Sequence, residues 1–206
     1  EDPKMTKTIV KRGVTELVTP GVAMNDEVLQ AKSNNFLASV YFSKRQLGVA
    51  FLDVSTGEFL TAQGNEEYID KLLQNFSPSE ILIQKNTKAQ FKTAFGEDYN
   101  VFYLEDWVYK QDYAVETLQN HFQTNSLKGF GVEELQDGII ASGAILYYLS
   151  ETQHNKIQHI TNIQRIAEDA YVWMDRFTIR NLELYHSHSQ NAVTLLDVID
   201  RTLSPM

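Results

Sequence analysis

NNFLASVYFSKRQLGVAFLDVSTGEFLTA, from Asn34 to Ala62, contains three β-rich runs separated by two short polar breaks. Asn34–Phe42, Leu47–Val54 and Glu58–Ala62 are dense in β-branched and aromatic residues, which suit a pleated, buried surface. Ser43-Lys44-Arg45-Gln46 and Ser55-Thr56-Gly57 are short enough to be hairpin turns, so the stretch predicts an antiparallel meander. Downstream the period changes. Asn65 offers an N-cap to a helix carrying Tyr68, Ile69, Leu72, Leu73 and Phe76, and Ser77-Pro78 ends it. EILI (Glu80–Ile83) reads as a buried strand, Lys88–Phe95 as a helix closed by Gly96, and VFYL (Val101–Leu104) as another strand. Parallel neighbours need helical crossovers, so this alternation after a meander predicts an α/β domain with a mixed sheet.

Farther along, Ala114, Val115, Leu118 and Phe122 mark a helix over Asp112–Phe122, and Gly129-Phe130-Gly131 breaks the chain. A long helix is expected from Glu134 to about His154, with Leu135, Ile139, Leu146 and Leu149 near one stripe. Ser142, Gly143 and Ala144 lie where another backbone could come close. Asn155–Ala167 is polar without a strong period, and a domain boundary is placed there. Beyond it, Tyr171–Met174 reads as a short strand, Asp175 as the cap of a helix through Leu184, and Thr194 as the cap of another. This tail is too short to fold alone, so its apolar faces are expected to pack on the body, a second copy or further sequence. Upstream, Thr8–Val18 reads as an extended segment ending in the turn Thr19-Pro20-Gly21.

The 206 residues are 43% hydrophobic and 22% charged, the balance of a soluble globular protein. Cysteine is absent, which excludes disulfides and thiolate metal sites and fits a reducing, cytoplasmic setting. The opening EDPKMTKT lacks the apolar stretch of a signal peptide. A net charge of −9 opposes binding to a phosphate backbone. Lys4, Lys7, Lys11 and Arg12 are too dispersed to form a basic patch and read as a solvated linker.

Catalytic constellations are sparse. In His186-Ser187-His188 the imidazoles diverge on a strand or a helix, and no third ligand lies nearby, so a polar loop is the better reading. Asp53 stands at the end of an apolar strand before Ser55-Thr56-Gly57, where ribonuclease H-like nucleases and actin-like ATPases present a magnesium or phosphate ligand. The same pattern is also an ordinary turn in which Asp and Ser accept backbone N–H groups, and that reading is preferred. A metal-dependent nuclease using Asp53 with Glu58 is the alternative function; it needs further acids, and none stands at the tips of EILI or VFYL beyond Glu105 and Asp106. There is no phosphate-binding P-loop, dinucleotide fingerprint or Gly-x-Ser-x-Gly elbow. Tyr41, Phe42, Phe51, Phe59, Tyr99, Phe102 and Tyr103 read as core rather than as a base-stacking platform.

Five motifs, in order along the whole chain, resemble the bacterial MutS family of DNA mismatch repair proteins. They are EDPK with VKRGVTELVTPGV, GVAFLDVSTGEF, LKGFGVEE with the small-residue helix ASGAILYYLSETQ, MDRFTIRNLEL, and LLDVIDRTLSPM. The resemblance implies a linker from an absent mismatch-recognition domain over residues 1–20 and a ribonuclease H-like connector domain over 21–165. It implies the first part of a helical core, or lever, domain over 166–206. It also implies a fragment without catalytic, metal or cofactor-binding residues, since the ATP and magnesium sites of the parent protein lie elsewhere in the family. The parent would bind mismatched duplex DNA and dimerise; the fragment alone is not expected to bind DNA. The family's connector relays between mismatch reading and the ATPase and presents a surface to the MutL partner. That surface maps to the helix before FQTNSLKGFG, with Glu116 and Thr117 as its expected exposed residues. Other members carry a Gln pair there, a departure in this chain.

Overall fold

The computed structural model describes residues 19–22, 34–153, 157–166, 174, 176–184 and 193–201. The meander forms as its sequence predicts: β1 (Phe36–Phe42), β2 (Leu47–Asp53) and β3 (Phe59–Gly64) pair antiparallel, with Phe36 opposite Asp53 and Leu52 opposite Phe59. The helix α1 (Glu66–Phe76) follows, and the Asn65 side chain accepts the Tyr68 N–H as an N-cap. Next come β4 (Glu80–Gln84), α2 (Lys88–Phe95) and β5 (Val101–Leu104). β4 lies parallel to β1, and β5 parallel to β4. Helices α3 (Gln111–Phe122) and α4 (Gln136–Gln153) complete the body.

Strand alternation sorts the core into two layers. Leu37, Ala50 and Leu52 face Leu118, Ile139, Ile145 and Leu149 of α3 and α4. Phe36, Ala38, Val40, Val49 and Phe51 face Ile69, Leu72, Leu73 and Phe91 of α1 and α2. Every residue of β2 is buried, which explains why its sequence is apolar almost throughout instead of alternating with polar residues. Two glycines set how closely α4 lies. A Cβ at Gly48 would overlap the Asp137 carbonyl, so the start of α4 rests directly on β2. A Cβ at Gly143 would come within 2.6 Å of Ala114 Cα, which brings α3 and α4 into close backbone contact. This is the approach expected at the small residues Ser142, Gly143 and Ala144.

The described part of the segment Asn155–Ala167, residues 157–166, joins the body more closely than its polar composition suggests. It carries β6 (Gln164–Arg165), which pairs parallel with β3 through Leu60 and Thr61 and completes the order β5-β4-β1-β2-β3-β6 among the described residues. Ile160, Ile163 and Ile166 are buried, so the stretch belongs to the body's core. A two-residue strand has no period to read, and three isoleucines at intervals of three among polar residues imitate a loop. Phe102 also departs from the core reading: on edge strand β5 it is 41% exposed.

In the tail, α5 (Arg176–Asn181) stops before Leu184, with Glu183 at a left-handed φ of 49°. Thr194 caps α6 (Leu195–Ile199) in a reciprocal bond pair with Asp197, as the sequence predicts. Met174 is not in a strand, and Tyr171–Trp173 and the Asp175 cap lie outside the described residues, as do Thr8–Val18, the basic residues of the start and His186-Ser187-His188.

Candidate functional site

β2 delivers Asp53 to the sheet end where β1 begins, and the side chain is 1% exposed. Its Oδ1 accepts the Ser55 N–H at 2.8 Å, the Ser55 hydroxyl at 2.6 Å and the Thr56 N–H at 3.3 Å. Its Oδ2 accepts the Asn35 N–H at 3.2 Å. Gly57, at φ +78°, closes the turn by donating its N–H to the Asp53 carbonyl at 2.9 Å. The carboxylate is therefore spent on its own turn and on Asn35, which is the structural role preferred from sequence. Glu58 is half-buried beside it and accepts the Asn34 amide at 3.1 Å. Burial and then the Asp53 charge push the Glu58 pKa up, against the lowering effect of the Asn34 bond.

Glu80 is the residue that sequence reading missed. It opens the EILI strand, is 4% exposed, and sits at the same sheet end, since Leu37 pairs with it. Its Oε2 accepts the Thr19 hydroxyl at 2.6 Å and the Gly21 N–H at 3.2 Å, and the Tyr148 hydroxyl of α4 lies 3.2 Å from its Oε1. Burial, chiefly, pushes the Tyr148 pKa up to about 12; the Thr19 bond opposes this and the Glu80 charge adds to it. Glu80 thereby fixes the incoming chain, whose residues Pro20–Val22 form one 3-10 turn. Asn35 links this anchor to the Asp53 turn. Its amide donates to the Pro20 carbonyl at 2.8 Å, its side-chain oxygen accepts the Ser79 hydroxyl at 2.5 Å, and its N–H is the one bound by Asp53.

The outgoing chain reaches the same place. His159 Nε2 donates to the Val54 carbonyl at 2.6 Å, and Gly57 packs against the same residue. Next to it, His121 Nε2 at the end of α3 donates to the Ile160 carbonyl at 2.8 Å. Carbonyls only accept, so both imidazoles carry a proton on Nε2. The Ile166 N–H then bonds the Thr61 carbonyl at 2.9 Å. Incoming residues 19–21 and outgoing His159 are thus tied to one cluster around Asn35 and the Asp53 turn, while Ile160 and Ile166 are held by α3 and β3.

The other acids proposed from sequence lie elsewhere. β5 runs parallel to β4 and β1, so Glu105 and Asp106, which follow it, are at the opposite sheet end from Asp53. Glu105 pairs with Lys85, and Asp106 accepts the Asn86 amide at 3.0 Å. Among the described residues no three His, Asp or Glu side chains gather into a metal-binding group. On α3, Glu116 is exposed, whereas Thr117 is half-buried and donates its hydroxyl to the Tyr113 carbonyl at 2.8 Å.

A family profile described as MutS domain II matches residues 35–162, a span that takes in the meander, both crossovers and, of the outgoing isoleucines, Ile160. The chain belongs to the MutS family. Over all 206 residues it is 82% identical to the DNA mismatch repair protein MutS of Flavobacterium psychrophilum and 81% identical to that of Flavobacterium johnsoniae. It is 57% identical to that of Cytophaga hutchinsonii. It spans 24% of the length of each of these curated relatives. The mixed sheet flanked by helices is that of the MutS connector, the ribonuclease H-like domain II. Among the described residues of this MutS-family chain, no helix is long and apolar enough to cross a membrane.

Proposed function

We propose that this chain is a non-catalytic connector of a cytoplasmic DNA mismatch repair ATPase, holding a preceding mismatch-reading domain and a following helical core in fixed relation. In this reading residues 1–20 lead in from the first, 21–165 form the connector, and 166–206 begin the core. ATP, magnesium, mismatched duplex and the dimer contacts belong to the rest of the parent protein, and the α3 face around Glu116 and Thr117 offers docking to a MutL-type protein. The carrying observation is the convergence of the incoming and outgoing chain on one hydrogen-bonded cluster, through Glu80, Asn35, the Asp53 turn and His159. Packed elements with satisfied polar contacts shift as units, so a body built this way passes on a displacement of one junction to the other.

The test measures the purified chain for ATP hydrolysis, for mismatched-duplex binding at physiological salt, and for nuclease activity with magnesium or manganese. None is expected. DNA or RNA cleavage that disappears in Asp53→Asn would overturn the connector reading in favour of a nuclease. In full-length protein, Asn35→Ala is expected to weaken the dependence of ATP turnover on mismatched DNA while leaving DNA-free turnover intact.

A further inference from the structure

One aromatic group stands at the rim of the core: Tyr113 and Tyr147 pack against it, while Trp107 is exposed. Trp107 lies in the 3-10 turn Asp106–Tyr109, Tyr113 on α3 and Tyr147 on α4. The Trp107 ring meets Tyr113 at 5.0 Å and Tyr147 at 5.1 Å, each edge-on at 74°, and the two tyrosines close the triangle at 6.1 Å and 72°. Three separate elements hold these rings, so their arrangement is set before any partner arrives. Yet Trp107 remains 44% exposed, an unusual position for the largest apolar side chain.

The surroundings are acidic. Glu105, Asp106, Asp112, Glu116 and Glu151 are all exposed on the same turn and helices. Burial first, and then the charges of Glu151, Tyr113 and Glu105, push the Tyr147 pKa up, so of these acids Glu151 and Glu105 bear on the triangle. Among the described residues the cations on or beside these elements are Lys110 and Lys85, and Lys85 is paired with Glu105. Among the described residues Asp112, Glu116 and Glu151 have no ion pair. Such a surface repels nucleic acid and anionic lipid. Facing a second copy across a two-fold axis would set like charges together. Aromatic faces ringed by carboxylates instead favour cations, through ring quadrupoles and ion pairing together.

We propose that the Trp107–Tyr113–Tyr147 triangle and its carboxylate rim dock a protein segment that carries Arg or Lys among apolar residues, the cation resting against the rings and pairing with Glu151, Glu116 or Asp112. The inference rests on the partner-docking part of the function proposed above and shifts the anchor of that surface from the Glu116–Thr117 pair to the aromatic triangle.

The experiment titrates a purified MutL-type protein against the 206-residue chain by calorimetry at about 50 and 300 mM salt, a range over which exposed charges become screened. Trp107→Ala and Tyr147→Ala are each expected to weaken binding about tenfold or more, and Tyr147→Phe to restore it. Glu151→Arg, an exposed change that leaves the core intact, is expected to weaken binding and flatten its salt dependence. Asp98→Arg, exposed after α2 on the other face of the sheet, is expected to change nothing. If all these variants bind like the parent chain, this surface is wrong while the docking function stands. If the unsubstituted chain does not bind, both fall. Salt-sensitive dimers that Trp107→Ala dissociates would assign the surface to a second copy and overturn the proposal.

Discussion

Asp53 and Glu80 stand at the same end of the sheet, are 1% and 4% exposed, and lie among the described residues without an ion pair. Their partners differ in kind. Three of the four bonds to Asp53 come from Ser55 and Thr56, within three residues of it. The bonds to Glu80 come from Thr19, Gly21 and Tyr148, 59 to 68 residues away. A locally satisfied carboxylate can form its turn as soon as the hairpin closes. A carboxylate satisfied from a distance holds the incoming chain, β4 and α4 together only in the finished fold, so its loss should loosen a junction as well as a side chain.

The largest break in that comparison should come from Glu80→Ala, which strands the Gly21 N–H and leaves the Thr19 and Tyr148 hydroxyls only each other beside a cavity. We expect a loss of about 3 kcal/mol in urea denaturation. Hydrogen exchange should also accelerate over residues 19–22, and retention of native protection there would show that Glu80 is not the anchor. Asp53→Ala removes four accepted bonds but leaves donors at a partly hydrated turn, so about 2 kcal/mol is expected in the same measurement. Residues 19–22 should stay protected. Asp53→Asn keeps one oxygen for the Ser55 and Thr56 bonds and should cost about 1 kcal/mol.

Asn35→Ala sharpens the comparison by cutting the link between the two centres, at a cost of about 1–2 kcal/mol. Combined with Glu80→Ala it should be non-additive by at least about 0.5 kcal/mol, because both hold the incoming turn; strict additivity would separate the two anchors. The smallest effect concerns Glu58. Its folded pKa is raised, so the folded state binds more protons than the unfolded chain between the ordinary Glu range and that raised value. The group therefore lowers stability as pH rises through this window and returns it on acidification. Glu58→Gln should flatten this part of the stability–pH curve without loss of stability at neutral pH, as thermal melts between about pH 4 and 7 would register.

Legibility followed the range of the interactions. The meander, α1 with its Asn65 cap, the Asp53 turn and the Thr194 cap rest on partners near in sequence, and all formed as the sequence predicts. The site was read only in part. Asp53 was found and its structural role preferred, but Glu80 passed as the first letter of a buried strand, and Asn35, His121 and His159 carried no pattern. Thr117, expected to be exposed, is half-buried beside the buried Leu118, and its hydroxyl bonds one helical turn back. Phe102 was grouped with the core aromatics and Trp107 carried no pattern, since whether a ring is covered depends on where β5 and its neighbours end.

By itself the sequence determined that the chain is α/β, which runs become strands and helices, and which of its motifs match the MutS connector. Those properties are written in periods of two and 3.6 residues and in turn residues a few positions apart. Tertiary structure decided that β6 closes the sheet, that Glu105 and Asp106 lie at the far end from Asp53, and that incoming and outgoing chain meet at one cluster. Strand direction and long-range hydrogen bonds set those, and neither leaves a local trace: Thr19 and Tyr148 are 129 residues apart along the chain and 3.2 Å apart in space.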